Sequence, residues 1–255
     1  MLALHQATRR GPDRWPLLAA LGAVSLAAWL ALWFWGQSAD ARFLHHDATA
    51  AASAGPADGL LFVAGWVVMI VAMMLPTSAP LIATFGALVA RRRRPAMLVA
   101  LVVIAYLVVW TGFGIVLYGA DRILHLVVDA WPWLAEHSAL IAGATLAVAG
   151  IYQFTPLKYQ CLDECRSPLG FVIAHWAGRH ERLEAFRMGI AHGIFCVGCC
   201  WSLMLVMFAV GLGSLGWMLA LGAVMAIEKN ASWGRRLSRP LGVVLILAAV
   251  LAVSG

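Results

Sequence analysis

Long apolar stretches separated by short polar ones set the architecture of this chain. A membrane-spanning helix needs about 20 predominantly apolar residues. On that measure helices are predicted near residues 17–36, 60–89, 96–118, 138–157, 188–210, 212–229 and 239–254. The stretch at 60–89 is longer than one span and contains Pro76 and Pro80, which predicts a kinked helix or a span followed by a shorter segment. The last stretch is short, so the pattern gives seven spans, or six if it does not cross. Residues 119–137 read as an amphipathic segment lying at the outer interface, with Trp131 and Trp133 as headgroup anchors. Residues 37–59 form the other outer loop. Residues 1–16 carry Arg9, Arg10 and Arg14 ahead of an apolar run, like the n-region of a signal peptide. The run ends in Trp29, Trp33, Phe34 and Trp35 with no small-x-small site directly after it, so it reads as an uncleaved first span.

Composition agrees with an all-α, polytopic transmembrane bundle. Of 255 residues 63% are hydrophobic and 12% charged, about half the charge of a soluble domain; the mean hydropathy is +0.86. The whole chain, 1–255, reads as one membrane domain whose motifs fall within 60–230. The net charge of +6 is not a nucleic-acid signature. With the N-terminus in the cytoplasm, sixteen of the eighteen Lys and Arg residues fall on the inner side and only Arg42 and Arg122 outside, as the positive-inside rule requires. The expected location is the bacterial inner (cytoplasmic) membrane.

Against this apolar background one segment stands out, MGIAHGIFCVGCCWSLM at 188–204. Residues four apart share a helix face. Met188, His192, Cys196, Cys200 and Met204 therefore form one stripe, with Cys199 at its edge. Polar groups within lipid usually mark function, and thiolate, thioether and imidazole are the ligands of soft transition metals. If the helix enters from the cytoplasm near Met188, His192 lies about 6 Å and Cys199 about 16 Å along it. Gly189 and Gly193 make a small-xxx-small face for a close neighbour, which puts this helix inside the bundle.

Three further groups have matching chemistry. Cys161 and Cys165, in the basic loop YQCLDECRSP at 159–168, share a face if that loop is helical. In AMMLPTSAP, at 72–80, Met73 and Met74 add thioethers, and Thr77 and Ser78 can satisfy carbonyls freed by the prolines. On the sixth helix Met225 and Glu228 are expected near the depth of His192, where Glu228 can orient the imidazole, bind a cation or move a proton, or instead pair with Lys229 or Arg235. His45, His46 and Asp47 in the outer loop are a weaker metal-capturing group. All five cysteines lie between residues 161 and 200, which argues against an extracellular disulfide framework.

The motifs AMMLPTSAP, YQFTPLKYQCLDECRSPLGF and GIAHGIFCVGCCWSLMLVMFAVGLGSLGWMLALGAVMAIEKN resemble a bacterial family of predicted metal-binding integral membrane proteins, domain of unknown function 2182. The resemblance implies a metal-binding role, with copper handling expected, and falls on Met73, Met74, Pro76, Cys161, Cys165, His192, Cys196, Cys199, Cys200, Trp201, Met204 and Glu228. The spacing of Gly189, Gly193 and Gly198 is also similar to the cysteine-bearing helix of membrane thiol–disulfide carriers, although Phe195 and Gly198 stand where those families place proline before cysteine.

Charge balance narrows the metal. One neutral imidazole, one thiolate and Cu(I) form a neutral group, which His192 and Cys196 can supply with thioethers from Met204, Met73 or Met74. Two thiolates, from Cys196 and Cys200, neutralise Zn(II) with His192 as a third ligand. Thioethers favour Cu(I). The expected protein is not an enzyme. It binds Cu(I), with Zn(II) as the alternative, for transport, for delivery to a metallochaperone or metalloprotein-assembly partner, or for detoxification. No nucleotide-binding motif is visible, so transport would be passive, proton-coupled or partner-driven. Two other readings stay open, a membrane thiol–disulfide electron carrier and a structural assembly subunit.

Overall fold

A computed structural model describes residues 15–37, 56–210 and 214–254. All regular structure among them is helical: α1 (Trp15–Gly36), α2 (Pro56–Thr77), α3 (Ala79–Val89), α4 (Pro95–Ala130), α5 (Pro132–Glu136), α6 (Ser138–Tyr152), α7 (Pro156–Arg166), α8 (Pro168–His175), α9 (Glu181–Val210), α10 (Leu215–Asn230), a 3₁₀ turn (Gly234–Leu237) and α11 (Ser238–Ser254). Proline opens α4, α5, α7 and α8, where its missing N–H costs nothing and its fixed φ suits a first helical residue.

Five of these segments are long and apolar enough to cross a membrane: α1, Gly59–Thr77 of α2, α4, Glu181–Met207 of α9, and the 3₁₀ turn with α11. A sixth results if α6 and α7, bent by 65° at their junction, form one broken span. Seven spans are therefore not found among the described residues. The stretch predicted as a sixth span at 212–229 forms a helix of only 16 residues, α10. At 1.5 Å per residue it covers about 24 Å, short of a hydrocarbon core of about 30 Å.

Other boundaries also move. The predicted interfacial segment at 119–137 is mostly a continuation of α4, which runs unbroken for 36 residues because nothing stronger than Gly119 interrupts it before Pro132. The predicted helix at 138–157 stops at Tyr152, and Pro156 starts α7 in a new direction. The segment at 159–168 is not a loop. Most of it is α7, capped by the Thr155 hydroxyl accepting from the Lys158 N–H, with Lys158, Cys161 and Leu162 buried.

The long stretch at 60–89 breaks at Ser78, and the neighbouring helices repair the break. Pro76 has no N–H for the carbonyl of Ala72, which accepts instead from Ser25 Oγ (2.8 Å) and Trp29 Nε1 (3.1 Å) of α1. The Ser78 N–H bonds to Leu75 rather than Met74 (3.1 Å). The Met74 carbonyl then accepts from Thr77 Oγ1 (2.8 Å) and from Tyr106 OH of α4 (3.3 Å). The Ala72 and Met74 carbonyls thus find donors from neighbouring side chains, as a broken helix in an apolar setting requires.

Lipid tails are as apolar as leucine, so close packing must hold the helices together. Glycine supplies it at three crossings. A Cβ on Gly189 would lie 2.4 Å from the Val102 carbonyl oxygen and one on Gly193 2.8 Å from Val109 Cβ, so the predicted small-residue face of α9 is where α4 docks. Gly150 and Gly242 let α6 and α11 meet, and Gly198 of α9 receives Cys161 of α7.

Candidate metal centre

The stripe on α9 faces inward along its whole length. Met188, His192, Cys196, Cys199, Cys200 and Met204 are all at most 3% exposed. The stripe serves two cores. Met188 packs with Phe85, Leu98, Val102 and Phe171, whereas Cys196, Cys199, Cys200 and Met204 share the main core with Met73, Met74, Met218 and Met225.

The thiols gather at the crossing of α9 and α7. Cys199 Sγ lies 3.4 Å from Cys200 Sγ and 3.9 Å from Cys165 Sγ, and it donates to the carbonyl of Cys196 (3.2 Å). All five cysteines are free thiols. The four-residue spacing turns both cysteines of α7 toward α9, but to different places. Cys165 joins the thiol group, whereas Cys161 packs on Gly198.

Cys196 is the junction between the thiols and the broken helix. Its Sγ accepts from Lys229 Nζ of α10 (2.8 Å) and lies 3.1 Å from Tyr106 OH. Lys229 also donates to Thr77 Oγ1 (3.2 Å), beside the break between α2 and α3. Tyr106 stacks on His192, with ring centroids 5.5 Å apart, so one aromatic ring touches both the imidazole and the thiol. His192 Nε2 lies 3.0 Å from Ser78 Oγ, and Phe171 sits edge-on at 5.6 Å. The other ring nitrogen, Nδ1, is buried and has no hydrogen-bond partner among the described residues. A histidine held through one nitrogen with the other left bare is how a protein presents an imidazole to a metal.

The Glu228 carboxylate meets Lys158 and not His192. Glu228 accepts two bonds from Lys158 Nζ of α7 (2.8 and 3.0 Å) and one from Ser238 Oγ (2.6 Å), and its backbone carbonyl accepts from Arg166. Lys158 also donates to Gln153, whose Nε2 reaches Ser202 Oγ of α9 at 3.1 Å. This is a buried ion pair, 0% and 1% exposed, that joins α7 to α10. Neither Lys229 nor Arg235 takes the carboxylate: Lys229 binds Cys196, and Arg235 pairs with Asp163 (3.3 Å). Met225 is fully buried, and Met73 packs against Gly222 on the same helix.

Three other histidines make local contacts. Nδ1 of His125, His137 and His175 each bonds the carbonyl four residues earlier. His45, His46 and Asp47 lie outside the described residues. Among the described residues no three His, Cys, Asp or Glu side chains converge as a ready-made metal cage. The four thiols that gather here are soft donors and the imidazole one helical turn away is a borderline one, a set that suits a soft ion.

Sequence reasoning missed Tyr106, Lys158 and Lys229 as parts of this region. Tyr106 gave one signal, a hydroxyl in an otherwise lipid-grade helix, which must find a partner. The lysines looked like inner-loop charges, yet they are 0% and 5% exposed. No curated protein and no solved structure matches the chain. Residues 63–252, about three-quarters of the sequence and all of the region just described, match a family described as a copper chaperone. The match covers well over half of the chain, and this protein therefore belongs to the PpoB2 copper chaperone family.

Proposed function

We propose that this protein is a membrane-embedded copper carrier that takes up Cu(I) between α9, α7 and the α2–α3 break and passes it to a partner in the bacterial inner membrane. The observation that carries this reading is the gathering of Cys165, Cys196, Cys199 and Cys200 where α9 crosses α7, inside a core lined with methionine, with His192 and its bare Nδ1 one helical turn from Cys196 and joined to it through Tyr106. Membership in a copper chaperone family supports copper over other soft ions.

Lys229 changes the charge balance. A lysine ammonium touching Cys196 offers a counter-charge to a thiolate, the form in which cysteine binds metal. Cu(I) and this ammonium together carry two positive charges, so a neutral buried site calls for two thiolates rather than one. Cys196 supplies one, and Cys165, Cys199 or Cys200 the other. Zn(II) would need three thiolates beside the same lysine. His192 and the thioethers of Met73, Met74 and Met204 can complete the coordination of Cu(I) without adding charge. Glu228 and Met225 stand outside the ligand set in this reading.

Metal analysis of protein purified anaerobically tests the proposal. The wild type is expected to hold about one Cu(I) per chain, in preference to Zn(II), and His192→Ala with Cys196→Ser to hold none. Unchanged stoichiometry in the double variant would remove the site. The 3.4 Å approach of Cys199 and Cys200 favours a second reading, a thiol–disulfide carrier. A thiol-trapping mass shift that responds to thioredoxin and not to copper would favour it instead.

A further inference from the structure

A second site lies apart from the thiols, where α7, the 3₁₀ turn and the start of α11 meet. A cleft of about 670 Å³ there is lined by Tyr159, Asp163, Arg166, Arg235, Arg236 and Arg239, with Ser232 at its edge. Four guanidinium groups face one carboxylate. Asp163 is already engaged by Arg235 at 3.3 Å, which leaves the cleft about three charges positive.

Two of the arginines are held in place. Arg166 is fixed by the carbonyls of Glu228 and Ser232, the latter at 3.0 Å, and carbonyls do not neutralise it. Arg235 lies over the Tyr159 ring, 5.2 Å from its centroid. The guanidinium groups of Arg236 and Arg239 have no partner among the described residues. The Tyr159 hydroxyl is buried and has no hydrogen-bond partner among the described residues. A buried hydroxyl without a partner carries a real cost, and this one belongs to a residue that lines the cleft.

From this arrangement we infer that the cleft binds a phosphate group. Arginine forks match phosphate oxygens in pairs. A tetrahedral anion can accept from several guanidinium groups and a phenol at once, whereas a carboxylate offers only two oxygens. Such a phosphate can come from an anionic lipid headgroup, for which basic pockets between membrane helices are suited, or from free phosphate. The inference does not depend on copper binding.

The full chain in phosphate-free, lipid-depleted detergent is titrated with phosphatidylglycerol, with phosphatidylcholine and with inorganic phosphate, and adducts are read by native mass spectrometry. Arg236→Ala with Arg239→Ala, both surface positions, is expected to weaken binding about 10- to 30-fold. Tyr159→Phe, which keeps the ring under Arg235, is expected to weaken it about threefold. Retention of phosphatidylglycerol over phosphatidylcholine identifies a lipid headgroup, and binding of inorganic phosphate alone identifies the free anion. Either result supports the site if the variants lose it. No binding of either probe, or equal binding by wild type and both variants, overturns it.

Discussion

Cu(I) affinity is expected to fall more than about 100-fold in Cys196→Ser and to stay essentially unchanged in Cys161→Ser. The contrast follows from what each sulfur touches. Cys196 Sγ meets Lys229 and Tyr106 while its carbonyl accepts from the Cys199 thiol, and it is the thiol with an ammonium in contact. Cys161 fills the space over Gly198, and it is Cys165 that reaches the thiols of α9. Loss of a group that only orients a ligand costs about 10- to 100-fold in metal affinity, so loss of a charge-bearing ligand should exceed the top of that range. Serine keeps a hydrogen-bonding atom for Lys229 and Tyr106, so the helices should stay assembled. Competition with a chromophoric Cu(I) chelator under anaerobic conditions measures the affinities, and circular dichroism checks the fold. Equal losses in the two variants would mean that Cys161 is a ligand and that the ion sits elsewhere on α7.

Removing the Glu228 carboxylate is expected to produce the largest loss of stability, about 3–5 kcal/mol in Glu228→Ala. Lys158 is fully buried, and its ammonium is held by Glu228 and Gln153. Without Glu228 that charge stays in an apolar interior with only an amide oxygen against it. Gaining the ion pair is a different matter from losing half of it, because desolvation cancels much of the attraction in the intact pair. Glu228→Ala combined with Lys158→Met should therefore recover much of the loss. Chemical unfolding of the detergent-solubilised variants measures both. A single variant within about 0.5 kcal/mol of wild type would show that the pair is hydrated and does not hold α7 to α10.

The legible parts of this architecture were those written in local spacing. Gly189 and Gly193 announced a close neighbour, and α4 takes that place. Pro76 announced a broken helix. The four-residue rhythm from Met188 to Met204 announced a buried stripe, although Met188 turned out to serve a different core from Cys196. Cys161 and Cys165 were set on one face, but spacing does not reveal which of the two meets α9 beside a thiol and which meets a glycine.

The illegible parts depend on partners far away in the chain. Lys229 reaches Cys196 across 33 positions, Lys158 reaches Glu228 across 70, and Tyr106 reaches Cys196 across 90. Both lysines lie at the ends of apolar stretches, where a hydropathy window cannot tell a charge facing the cytoplasm from one folded back into the bundle. The same window gave seven spans or six, whereas five segments, or six with the bent pair, are long and apolar enough among the described residues, and α10 is a helix of 16 residues. It also missed α7, whose low apolar content suggests a loop although one of its faces is buried.

X-ray absorption at the copper edge of the Cu(I)-loaded protein decides whether copper sits among these thiols, because it reads the atoms around the ion without any substitution. The expected spectrum is dominated by sulfur, with at least two sulfur neighbours and a nitrogen from His192. A shell of nitrogen and oxygen alone would contradict this placement.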